Sequence, residues 1–311
     1  METTSRILST LKKVFSRTRI VDNPIITKEL KGKMRGRQGV LNITAYLSLI
    51  SFFIFLIYFL LTLDGNISNG DPGFLQTVGK TIFSTVVLLE LLMIGFIGPA
   101  LTAGSISSER EHKTLDLLRA SLLSARELVF GKLNSAVVFL LLLVFTAIPI
   151  QSLAFFLGGV GMAEMVVSTL MLVVTAIFFC TLGLFFSSFS KRTLIATVFT
   201  YGSILISFIL FILLFFFVSI FDSYGNYPPL LIDNVLTIAA WILFSTNPFF
   251  AAIISETTLV ENQTLYTTTD IFFGNTALIL PSPWIIYIAF YGFLTIILIG
   301  LSVYFVNRPD R

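Results

Sequence analysis

Residues 104–132 read GSISSEREHKTLDLLRASLLSARELVFGK, a polar stretch set between two of the longest apolar runs in the chain. Two helix starts lie within it. Ser108 followed by Glu111 fits a capping box, in which the hydroxyl meets the N3 amide and the carboxylate returns to the cap. Ser124 and Glu127 repeat the pattern. The first helix carries Leu115, Leu118 and Leu122 on one side, with Glu109, Lys113 and Asp116 elsewhere. Its apolar stripe is narrow and needs a surface to lie against. The second helix starts polar and runs without interruption into apolar sequence at Leu133. The pattern predicts a short docking helix in a loop between two membrane spans.

The composition around this stretch belongs to a membrane. Of 311 residues, 56% are hydrophobic and only 12% charged, against roughly 25% charged in ordinary soluble domains. The mean hydropathy is +0.93. Several apolar runs exceed the length of a span, which indicates a polytopic protein. Six spans are expected, at 41–63, 79–101, 133–157, 165–187, 193–221 and 284–306. Each is long enough to cross roughly 30 Å of hydrocarbon at about 1.5 Å per residue.

Charge then orients the spans. Of the 20 Lys and Arg residues, all but Lys80 fall in the N-terminal segment, the 104–132 loop, the 188–192 turn or the C-terminal tail. Lys80 lies at a span end, where it can snorkel. Both termini are therefore expected in the cytoplasm of a plasma-membrane protein. Residues 1–40 form a basic N-terminal segment whose Ile7, Leu8, Leu11, Val14 and Phe15 recur at helical spacing, an amphipathic helix for the membrane interface. With a polar, basic start and apolar sequence only from Leu41, no signal peptide is expected. Asn23-Pro24 marks a further helix start. Residues 41–306 make up the transmembrane domain and 307–311 a cytoplasmic tail. Within 222–283, two short apolar pieces separated by Asn247-Pro248 read as a helical pair dipping into the outer leaflet, or as an outer surface helix.

Catalytic chemistry is not visible. His112 is the only histidine, which excludes a zinc HExxH site and a serine–histidine triad. Cys180, the single cysteine, lies in an apolar run and reads as a small hydrophobe. GFLQTVGKT at Gly73 to Thr81 misses the phosphate-binding P-loop by one residue of spacing, and no strand precedes it. The basic residues track the membrane topology, so nucleic acid is not an expected partner. One ionisable residue, Glu90, lies near the middle of a span. A charge there costs about 2.5–3.5 kcal/mol on insertion scales, which favours the neutral acid. Partners for it can come only from other helices, with Thr146, Gln151, Thr175 and Ser207 as candidates. Glu90 either faces the translocation path or holds helices together by a hydrogen bond.

The loop pattern SERExxTLxLLxxxxLSxxExxxGK is similar to the cytoplasmic loop of ABC-2-type transporter permeases. Ser108, Glu109, Arg110, Glu111, Thr114, Leu115, Leu118, Gly131 and Lys132 carry the match, and NPIITKELKGKMRGR at Asn23 to Arg37 resembles the segment before the first span in one branch of that family. The resemblance implies an all-helical, six-span permease subunit of an ATP-driven exporter. It implies that the loop helix docks in a groove of a separate ATPase subunit, which binds the ATP and Mg, and that this chain holds no cofactor. Glu109, Arg110 and Glu111 would orient the loop, with Leu115 and Leu118 packing it. A second permease subunit, identical or not, would complete a central path. Lipid, peptide, antibiotic and polysaccharide substrates all stay open. The other reading is a secondary transporter driven by an ion gradient, which calls for internal repeats and several intramembrane charges. A membrane scaffold without transport is a third.

Overall fold

A backbone placed in hydrocarbon must satisfy its own amides and carbonyls, and a long apolar run does so locally only as a helix. The computed structural model describes residues 37–63, 72–114, 124–223, 230–262, 265–268 and 279–308. They form α1 (Arg37–Leu63), α2 (Pro72–Thr102), α3 (Ser107–Glu111), α4 (Ala125–Phe156), α5 (Met162–Phe189) and α6 (Thr193–Ser223). Then follow α7 (Leu230–Ser245), α8 (Pro248–Asn262), β1 (Thr267–Thr268), β2 (Leu280–Pro281) and α9 (Pro283–Asn307). Six of the helices are long and apolar enough to cross a membrane. The expected interfacial helix in residues 5–20 and the helix start at Asn23-Pro24 lie outside the described residues.

Several helices outrun their apolar windows. α4 begins at Ala125, ahead of its apolar window at 133, because Ser124 and Glu127 close the capping box read from sequence. The Ser124 amide donates to Glu127 Oε2 at 2.9 Å and the Glu127 amide to Ser124 Oγ at 3.2 Å. α2 likewise begins seven residues before the expected 79, at Pro72.

α5 is the hub. It packs against α2, α3, α4, α6, α8 and α9, and Leu172, Ala176, Cys180 and Leu184 along it are completely buried. Close approach of α2 depends on a missing side chain: a Cβ at Gly183 would stand 2.2 Å from Thr102 Oγ1 and 3.1 Å from the Ala103 amide nitrogen. Small residues serve this purpose wherever membrane helices meet. α1 and α6 lie at the periphery and leave most of their apolar surface uncovered.

Between α6 and α9 the chain makes a bent pair. Asn247-Pro248, which the sequence shows as an interruption, ends α7 and starts α8. The Asn247 carboxamide oxygen accepts from the amides of Phe249 at 3.0 Å and Phe250 at 3.3 Å. Proline at the first helical position has no amide to satisfy. The two helices bend by 109° at this break. The elbow reaches into the bundle, where the Tyr291 hydroxyl donates to the Thr246 carbonyl at 2.8 Å. Both arms return to the end where α9 begins. Trp241 Nε1 donates to the Pro281 carbonyl at 2.9 Å, and Trp284 Nε1 to the Leu265 carbonyl at 2.8 Å. β1 and β2 pair antiparallel beside them, Thr267 opposite Pro281.

Gly183→Ala is expected to lower the thermal midpoint of the purified chain, by an overpacking cost of about 1–3 kcal/mol. Gly202→Ala, with nothing within 4 Å of its added Cβ, is expected to leave the midpoint unchanged or raise it. Equal midpoints for the two variants would mean that the α2–α5 contact does not need the glycine.

Candidate functional site: a seam joining the loop to three helices

The loop after α2 turns at once into α3, a five-residue helix. The capping box expected at Ser108 and Glu111 does not form. Ser108 lies inside the helix, and Ile106 occupies the N-cap position without a side-chain cap bond. The capping oxygen comes from another helix instead. Ser187, near the end of α5, accepts from the amides of Ile106 and Ser107 at 2.9 Å each and donates to Ser107 Oγ at 3.3 Å. Ser107 and Ser187 are completely buried, so these bonds have no competition from water and matter the more for it.

The next three side chains go to three different helices. Glu109 accepts from Lys132 Nζ of α4 at 3.4 Å, and from the Thr114 hydroxyl. The Arg110 guanidinium donates through Nη1 to the Ser190 carbonyl at 3.0 Å, where Ser190 is the C-cap of α5. Glu111 Oε2 accepts from the Thr193 hydroxyl at 2.7 Å and the Thr193 amide at 3.1 Å, at the first residue of α6. A cation therefore meets the negative end of α5 and an anion the positive end of α6, as helix dipoles favour. The Thr193 hydroxyl, and next its amide, hold the Glu111 carboxyl below the usual glutamate range.

α3 stops at His112. Lys113 takes a left-handed conformation, φ 58°. Its amide donates to the Arg110 carbonyl at 3.1 Å, and the Thr114 amide to the Glu109 carbonyl at 2.9 Å, the two bonds of a Schellman ending. The longer helix expected from Ser108 to Leu122 is thus interrupted early. Leu115 and Leu118 lie outside the described residues. Glu111, His112 and Lys113 are exposed. Sequence reasoning missed Ser187, Ser190 and Thr193, although SSFSKRT at residues 187–193 is a polar cluster ending an apolar run.

Glu90 lies apart from this seam. It is completely buried in α2, and its Oε1 accepts from Gln151 Nε2 of α4 at 3.0 Å. Among the described residues, Glu90 Oε2 and Gln151 Oε1 have no partner. Of the other candidate partners, Thr175 bonds the Tyr287 hydroxyl at 2.7 Å and Thr146 the Leu143 carbonyl at 2.7 Å.

Ser187→Ala leaves two buried amides without their acceptor, at about 1–3 kcal/mol for an unsatisfied group. The thermal midpoint is expected to fall, and Ser187→Thr, which restores a hydroxyl, to recover part of it. The Glu111 contact should also be acid-labile. A carboxyl with a lowered folded value contributes fully above its unfolded value, about 4.3, and loses that contribution as pH falls through the folded value. The stability gap between the parent chain and Glu111→Gln is therefore expected to close on acidification below about pH 4. A gap independent of pH would exclude the carboxylate as the cap of α6.

The sequence matches the family described as ABC-2 family transporter protein over residues 24–295, which takes in α1 to α8, the seam and the first half of α9. No curated protein matches it. The loop motif, the six apolar helices and a match across most of the chain lead to one conclusion: this multi-pass membrane protein belongs to the ABC-2 transporter family.

Proposed function

We propose that this transport component is the permease subunit of an ATP-driven exporter in the plasma membrane, with the seam and both termini in the cytoplasm. A separate ATPase subunit binds ATP and Mg and docks on the exposed side of the loop. A second permease subunit completes the path. The observation that carries this reading is the division of labour within Glu109–Lys113. Glu109, Arg110 and Glu111 bind α4, α5 and α6, while His112 and Lys113 next to them are exposed. A partner that moves the exposed residues pulls on three spans at once. The bent pair α7–α8 is then re-entrant from the outer side, since both of its arms return to the end opposite the seam.

Docking and transmission are expected to separate by mutation. Lys113→Glu should weaken copurification of the ATPase. Glu111→Gln should leave copurification intact but reduce transport per ATP hydrolysed. Normal ATPase binding and coupling in both variants would overturn the reading, and transport in vesicles driven by a pH or sodium gradient without ATP would favour a secondary transporter. Orientation is testable by labelling single cysteines in a background lacking Cys180. Positions 108 and 191 should label from inside, and position 161 from outside; outside labelling at position 108 sinks the topology.

For Glu90 the two roles are contact with the translocation path and a hydrogen bond holding α2 to α4. Its burial and its Gln151 partner support the second. On that reading Glu90→Gln keeps assembly and transport, whereas Glu90→Leu mainly lowers the yield of folded complex. Loss of transport in a stably assembled Glu90→Gln complex would assign it to the path.

A further inference from the structure

The elbow of the bent pair borders a cavity of about 320 Å³ between α5, α6 and α9. A second cavity of about 230 Å³ shares Ser207, Thr246 and Asn247 with it. Phe178, Phe179, Phe208, Phe249, Phe290 and Tyr291 supply the aromatic walls, and among the described residues no acidic or basic side chain lines either space. Tyr291 stands eight residues into α9, roughly 12 Å from the helix start at 1.5 Å per residue. That depth lies within the hydrocarbon of a bilayer.

The polar atoms around the cavity can be accounted for one by one. Tyr291 donates to the Thr246 carbonyl, Ser203 to the Thr200 carbonyl and Thr246 to the Leu243 carbonyl, each at 2.7–2.8 Å. Asn247 is only 7% exposed. Two amides of α8 require its oxygen, so its NH₂ group is turned the other way. Among the described residues that NH₂ has no acceptor, nor has the Ser207 hydroxyl a partner. Ser207 is exposed and both residues line the cavity, and a donor that faces hydrocarbon without an acceptor is costly.

We propose that these joined cavities bind an uncharged amphipathic lipid. A carbonyl or hydroxyl oxygen of the lipid accepts from Asn247 Nδ2, and its apolar body packs among the phenylalanines. A charged headgroup finds no counter-ion among the described residues of the lining. The lipid is either a resident of the bilayer or cargo in passage, and the site itself does not depend on the coupling reading above.

The test uses the full chain in phosphatidylcholine nanodiscs with a diacylglycerol that carries a photoactivatable acyl chain. Mass spectrometry maps the labelled residues. Labelling is expected to concentrate on Phe208, Phe249 and Phe290 over the exposed face of α1. Asn247→Ser keeps a capping oxygen for α8 but removes the donor. It should reduce that labelling about five-fold, the worth of one neutral hydrogen bond. Ser207→Phe fills the space from α6 without touching the cap, and should abolish the labelling. A phosphatidic acid with the same chain should label weakly. Even labelling over all exposed apolar helices, labelling indifferent to both variants, or equal labelling by the acidic lipid would overturn the proposal. With the ATPase and ATP added, labelling that falls during turnover marks cargo, and constant labelling marks a resident lipid; both support the site.

Discussion

Everything at the loop end of the bundle depends on three adjacent side chains that choose three different helices. Glu109 reaches α4, Arg110 the carbonyl of Ser190 that caps α5, and Glu111 the first amide of α6. Successive residues on a helix point about 100° apart, so a single turn can address three neighbours at once. The same short helix is held from beneath by the Ser187 hydroxyl. A five-residue helix has almost no stability of its own, because nucleation is unfavourable and the return per residue is small. Here the surrounding helices supply the capping groups that its own sequence does not.

The rest of the bundle solves a packing problem of a different kind. With lipid as solvent, apolar contact alone does not drive helices together, and close fit takes over. Gly183 sets how near α2 comes to α5. The bond between Glu90 and Gln151 and that between Thr175 and Tyr287 cross helices inside the core. The peripheral helices α1 and α6 have few such ties and present apolar surface outward, the arrangement a bilayer tolerates and water does not.

Much of this was legible in the sequence, and the failures are instructive. The six long helices followed from apolar run length, and the start of α4 from the Ser124–Glu127 box, because both signals are local. The box at Ser108 and Glu111 has the same spelling but lost to a distant partner: Thr193 offers Glu111 two donors, and Ser187 takes over as cap. Such competition between elements 80 residues apart leaves no mark on spacing. The end of α3 was hidden for another reason. Left-handed endings are signalled by glycine or asparagine, and here a lysine takes that conformation. The elbow at Asn247-Pro248 was visible as an interruption, yet the cap that turns it into a helix start depends on how the Asn247 side chain folds back onto α8.

The turn between α5 and α6 is only Ser190 to Arg192, and Arg110 and Glu111 grip it from both sides. The two helices thus share one point of attachment at their root. A displacement of α3 would load both of them through these contacts. The elbow and its aromatic chamber lie along the same two helices, well away from that root. Were the pair to move as one body, a small rotation at the root would become a larger displacement at the chamber, by the length of helix between them.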